Sequence, residues 1–76
     1  MLMTTLPISP ERWIAQVFQA RTAAEGGIVR RRVADVDRLI GHDRFCAEVA
    51  RRGFRMVENA GHFVIFCNAE PIRVVV

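Results

Sequence analysis

Residues 43–67 read DRFCAEVARRGFRMVENAGHFVIFC, a helix, a glycine stop, a strand, a tight turn and a second strand. Over residues 43–52, Phe45, Val49 and Arg52 recur on one helix face, with Cys46 and Ala50 beside them. His42 or Asp43 is the expected cap. Gly53 suits the left-handed residue that ends a helix, and Phe54 is placed to fold back on the last turn. Residues 54–58 then alternate, with Phe54 and Met56 on one side and Arg55 and Val57 on the other. Asn59, Ala60 and Gly61 supply the turn. Residues 62–67 are apolar on both faces: Phe63, Ile65 and Cys67 on one, Val64 and Phe66 on the other. That pattern marks a central strand, which needs a helix over one side and a second covering over the other.

Upstream, residues 1–8 read as a flexible lead and residues 9–76 as a single domain. Ser9, Pro10 and Glu11 are a helix start: a hydroxyl cap, a proline in the first turn and an acid at the positive end of the helix dipole. Trp13, Val17, Ala20 and Ala24, with Ile14 and Phe18, form a stripe that predicts a helix over 10–25, stopped by Gly26 and Gly27. Residues 28–33, IVRRRV, suggest a strand. Asp35 is placed to cap a short helix over 36–40, closed by Gly41. Downstream, residues 68–71 make a second turn, and the β-branched residues 72–76 predict a third strand. The expected fold is α+β: a long N-terminal helix, one or two short helices and a small antiparallel sheet with a C-terminal three-stranded meander.

Seventy-six residues bound a single small domain, and 51% of them are hydrophobic. So small a body with so much apolar surface predicts a homo-oligomer, formed through the N-terminal helix or the 72–76 edge strand. No apolar run nears the roughly 20 residues of a membrane span, so no membrane partner is expected. The opening MLMTTLPISPERW lacks the basic and apolar regions of a secretory signal, which predicts a cytoplasmic location.

The formal charge is +3, and every basic residue except the two histidines is arginine. Charge concentrates in the middle: residues 30–55 carry a local net of +4. Such a stretch suits phosphates or an acidic protein, while an individual arginine is as readily a solvated surface residue. The candidate nucleic-acid contacts are Arg30, Arg31, Arg32, Arg44, Arg51, Arg52 and Arg55.

The order of elements is that of a winged helix-turn-helix. The helix over 36–40 then supports a recognition helix over 43–52, and the strands around Asn59 form the wing. Arg44, Arg51 and Arg52 face nucleic acid, with Arg55 near the backbone. Glu48 sits in the middle of that face, and the wing tip carries no basic residue. The competing expectation is a non-catalytic protein-interaction or dimerisation domain.

Patterns for chemistry are sparse. No Ser-His-Asp, Cys-His or phosphate-loop arrangement is present, and the Gly26-Gly27 pair lacks the rest of a dinucleotide fingerprint. Cys46 and Cys67 are too few for a disulfide framework and are expected as free, buried thiols. His42 and Cys46, four apart, suit a shared metal-ligand face, whereas His62 and Cys67 point to opposite faces of a strand. No metal or cofactor is expected. Asp35 and Asp37 face different ways at a helix start.

Residues 51–76 resemble the core of HicA-type messenger-RNA-cleaving toxins in the Gly53-Phe54 helix end and the Gly61-His62 strand opening. That resemblance implies a double-stranded-RNA-binding-like fold and a catalytic His62. No serine lies between Gly61 and His62 here. The wider pattern VRR…DVDRLIG…F…V.RRGF..VENAGHFVIFCN resembles short bacterial proteins, some of which carry a phosphoribosylanthranilate isomerase label. An isomerase of that kind is a (β/α)8 barrel of about 200 residues or more, a size this chain does not reach.

Overall fold

In the computed structural model the described residues are 9–76, so the lead expected over 1–8 lies outside them. Ser9 caps α1 (Pro10–Gln19): its Oγ accepts the Arg12 N–H at 3.2 Å, and Glu11 lies in the first turn. Ile14, Val17 and Phe18 are the buried face. Because α1 packs on the core, losing its cap weakens the whole domain. Ser9→Ala is expected to cost about 1 kcal/mol, read as a lower urea midpoint at unchanged slope.

The first helix does not run on to residue 25. Ala20 takes an extended conformation (φ −56°, ψ 145°), and α2 (Arg21–Ala24) starts afresh. The break buries Ala23 and leaves Ala24 exposed, whereas an unbroken helix keeps Ala24 on the apolar stripe.

β1 (Ile28–Arg32) leads directly into α3 (Val33–Leu39), which begins three residues before the expected start. The β1 ladder ends where Arg32 faces His62, and the Val33 N–H then donates to the Gly61 carbonyl at 2.9 Å. With no strand partner beyond that point the chain coils, so Asp35 falls in the first turn of α3 instead of capping it.

Gly41 makes the turn between α3 and α4 (His42–Arg51). The Ile40 and Gly41 N–H groups both donate to the Val36 carbonyl at 2.8 Å, and the Gly41 carbonyl accepts the Phe45 N–H at 3.1 Å. Its φ of 100° is one that L side chains rarely adopt, which is the physical reason for glycine here. At the far end, Gly53 and Phe54 donate to the Ala50 and Val49 carbonyls and close the helix as its sequence predicts.

β2 (Arg55–Asn59) and β3 (His62–Phe66) form a hairpin. Ala60 (φ 50°) and Gly61 (φ 78°) are its two turn residues, the left-handed pair that matches the twist of adjacent strands. The sheet is antiparallel with order β1-β3-β2, so β3 is central as expected. The expected C-terminal meander is not formed. The third strand is β1, from the first half of the chain, and residues 72–76 form no strand. Both flanks of β3 are occupied by β1 and β2, so the valine-rich tail finds no place beside it, and Val74 stays 88% exposed. The end of β3 is instead held to the loop before β1: the Cys67 N–H donates to Gly27 at 2.9 Å and Asn68 Nδ2 to Gly26 at 3.0 Å.

The helices bury one face of the sheet. Val29, Phe63 and Ile65 on that face meet Ile14, Val17, Phe18, Val36, Phe45 and Val49 in a single core, with Met56 at its edge. Phe45 is its centre. It is fully buried, with the rings of Trp13, Phe18 and Phe63 at 6.1, 6.2 and 6.0 Å. Both cysteines are free thiols; Cys67 is buried and Cys46 only half-buried.

Candidate nucleic-acid interface

The fold divides the candidate arginines into two groups on opposite sides of the sheet. Arg44, Arg51 and Arg52 belong to α4 and its end, on the helical side. The outward face of α4 is Asp43, Ala47 and Ala50, all exposed, with Arg44 and Arg51 along one flank. Arg44 Nη2 lies 2.6 Å from Glu11 Oε2 on α1. Glu48 holds both Arg51 and Arg52, three and four residues on. Arg52 also stacks its guanidinium over the Phe18 ring, 4.4 Å from the centroid. It is a packing residue as much as a charge.

These pairs set the acid chemistry. The Arg44 hydrogen bond holds Glu11 below the ordinary glutamate range, and the Arg51 hydrogen bond does the same for Glu48. Glu48 in turn raises Arg51. Asp35, hydrogen-bonded chiefly to Arg38 and also to Arg32, is lowered too. A carboxylate lowered in the folded state adds stability above its unfolded pKa, and that contribution is lost as pH falls through the folded value. Stability is therefore expected to decline on acidification below about pH 4.5, the ordinary glutamate value. Glu48→Gln should flatten that acid limb in urea titrations at successive pH values. Added salt should shrink the difference, since the pairs are at the surface.

Arg30, Arg32 and Arg55 lie on the sheet face that no helix of the described residues covers. The register sets this face out in three rows across β1, β3 and β2: Ile28, Phe66, Arg55; then Arg30, Val64, Val57; then Arg32, His62, Asn59. It bears no carboxylate. Ile28 and Val57 are 49% and 41% exposed, while Val64 and Phe66 are half-buried. Arg31 points to the opposite side, and its Nη1 donates to its neighbour's carbonyl, Arg30 O, at 2.6 Å. Among the described residues Arg30, Arg31 and Arg55 make no ion pair, whereas Arg32 shares Asp35 with Arg38. A concavity of about 410 Å³ opens over β3 between Arg30 and Asn59, floored by His62 and Val64. A smaller one of about 190 Å³ lies between α1 and α4, lined by Glu11, Ile14, Ala15, Arg44, Glu48 and Arg52.

The uncovered face is what sequence reading missed, because Val64 and Phe66 read as buried. The signal was present in the alternation of Arg30 and Arg32 on β1, once β1 is paired with β3.

His62 is exposed at the start of β3, its Nδ1 3.1 Å from the Ala60 carbonyl, with no carboxylate bonded to it among the described residues. The third strand that the toxin resemblance implies is not formed. Cys46 Sγ lies 3.7 Å from His42 Nε2, and Asp37 Oδ1 is 4.0 Å from His42 Nδ1. No three metal-binding side chains converge among the described residues. Burial, then Asp43 and Asp37, raise the Cys46 thiol, away from the thiolate a metal takes. Burial raises Cys67 likewise. No helix among the described residues is long and apolar enough to cross a membrane. No family model, no curated protein and no solved structure matches the chain.

Proposed function

We propose that the protein is a small nucleic-acid-binding module of regulatory type, contacting a duplex through α3, the Gly41 turn and α4. The observation that carries this reading is the connectivity. A helix broken into α1 and α2, then a strand, a helix, a glycine turn and a helix are followed by a hairpin whose second strand inserts beside the first strand. That is the winged helix-turn-helix order, with α4 as recognition helix and the β2–β3 hairpin as wing. The outward face of α4 supports it, since Ala47 and Ala50 leave the helix narrow enough to approach a groove floor. Arg44 and Arg51 border that face. Their ion pairs are exposed, and exposed pairs add little to stability, so exchanging a carboxylate for a phosphate costs little. At the wing tip, Asn59 and His62 supply polar groups.

The test is retardation of a labelled DNA duplex at increasing salt. With two or three phosphate contacts, the log–log slope of affinity against salt is expected at about −2 to −3. Absence of a retarded band at low salt would overturn the proposal.

A second reading is a non-catalytic contact domain that self-associates through residues 72–76. One observation favours it: Ile72, Val74 and Val75 are 41%, 88% and 85% exposed. Sedimentation equilibrium of the whole chain and of a chain lacking those five residues separates the two.

A further inference from the structure

We propose that the uncovered face of the sheet is a docking surface for an acidic amphipathic helix of another protein, distinct from the α4 interface. β3 presents different surroundings on its two sides. Its Phe63 and Ile65 side is sealed by helices, but on the other side Val64 lies between Arg30 and Val57, and Phe66 between Ile28 and Arg55; Val64 and Phe66 stay half-buried, and Ile28 and Val57 are about half exposed. An antiparallel sheet commonly leaves its second face to water when that face is polar, whereas one with an aliphatic centre suits a covering layer. A helix is the layer that fits three short strands. Laid along β3, it sets apolar residues at spacings of three and four over Val64 and Phe66.

The charges identify the occupant. Arg30 and Arg32 stand on the β1 side and Arg55 on the β2 side, with no carboxylate on the face. Arg30 and Arg55 have no ion-pair partner among the described residues. A helix with carboxylates on both flanks of its apolar stripe answers both sides at once. A second copy of the chain does not. Face-to-face docking about a two-fold axis sets Arg30 and Arg55 against their own copies with no carboxylate between them, which is repulsive. Nor does the chain's own leading segment, because MLMTTLPI contains no acidic residue. Aliphatic side chains also favour a protein over a nucleic acid here. Val57, Val64 and Ile28 give a base no aromatic ring to stack on; among the described residues the rings on the face are Phe66, which is half-buried, and His62, at its far edge.

The probe is a synthetic 14-residue amphipathic helix with leucines at spacings of three and four and glutamates on both flanks. Its binding is followed by fluorescence anisotropy on the full chain, beside a lysine-flanked twin and a single-stranded oligonucleotide. The glutamate peptide is expected to bind in a salt-sensitive way and the twin not to bind. Arg30→Ala with Arg55→Ala should weaken binding by about five- to tenfold. Both side chains are exposed, so that variant is expected to keep its fold, as circular dichroism would verify. Arg44→Glu with Arg51→Glu should leave peptide binding unchanged, which separates this surface from the duplex reading. Equal binding of the lysine twin, stronger binding of the oligonucleotide, or no binding of the glutamate peptide would each overturn the proposal.

Discussion

Phe45→Ala is expected to unfold most of the protein at room temperature in dilute denaturant. Phe45 is the residue on which α1, α4 and β3 converge, with three aromatic neighbours and no solvent contact. Truncating a buried phenylalanine costs about 3–5 kcal/mol, because the cavity is only partly refilled. A chain of 76 residues has a total stability of roughly 4–11 kcal/mol, so this one change removes a large share of it. Urea unfolding followed by circular dichroism reads the effect as a fall in midpoint. Phe45→Leu, which keeps most of the volume, should cost much less. If Phe45→Ala unfolded at the same urea concentration as the parent, Phe45 would not be the centre of the core.

Reversing two charges on α4 carries the largest expected functional effect. Arg44→Glu with Arg51→Glu is predicted to weaken duplex binding by at least about tenfold at low salt, because two phosphate contacts become repulsions. The salt slope should fall by about two as well. The fold should survive with some loss of stability: the side chains are 48% and 67% exposed, but the new glutamates face Glu11 and Glu48. Arg52 is a different case. Its guanidinium lies over Phe18, so Arg52→Ala is expected to lose stability before it loses affinity.

These two residues also show how much of the protein is legible in the sequence. The α4–hairpin unit is readable because its signals are local. Gly53 ends the helix, Gly61 serves the turn, and the alternation at Met56 and Val57 assigns the faces of β2. The pairing of Glu48 with Arg51 and Arg52 is local too, at helical spacing. Contacts made across the chain are not readable in that way. Arg44 and Glu11 are 33 residues apart, and nothing in either segment announces the other. The same limit explains the errors in the sheet. Ile72, Val74, Val75 and Val76 have strong strand propensity, but the place beside β3 that a C-terminal meander gives them is held by β1. The break at Ala20 has no glycine or proline to mark it, and the apolar spacing runs straight through.

The candidate site follows the same division. Composition shows that arginines crowd the middle of the chain. Only the register shows that Arg30, Arg32 and Arg55 share a face with Val64 and Phe66, while Arg44 and Arg51 lie on the other side of the sheet. A basic stretch that looks continuous in sequence is therefore two surfaces with different chemistry. One is a helix face whose arginines are held by carboxylates. The other is an aliphatic sheet face whose Arg30 and Arg55 have no such partners among the described residues.

The central claim is that α4 and the hairpin tip form the duplex-binding surface. Titration of the isotopically labelled protein with a DNA duplex, followed residue by residue in amide chemical shifts, tests it most directly. The shifts are predicted to gather at Ala47, Ala50 and Arg51 on α4 and at Asn59 and Gly61 on the hairpin. Val57, Val64 and Phe66 should stay still. Shifts confined to those three sheet residues, or no shift at saturating duplex, would contradict the account.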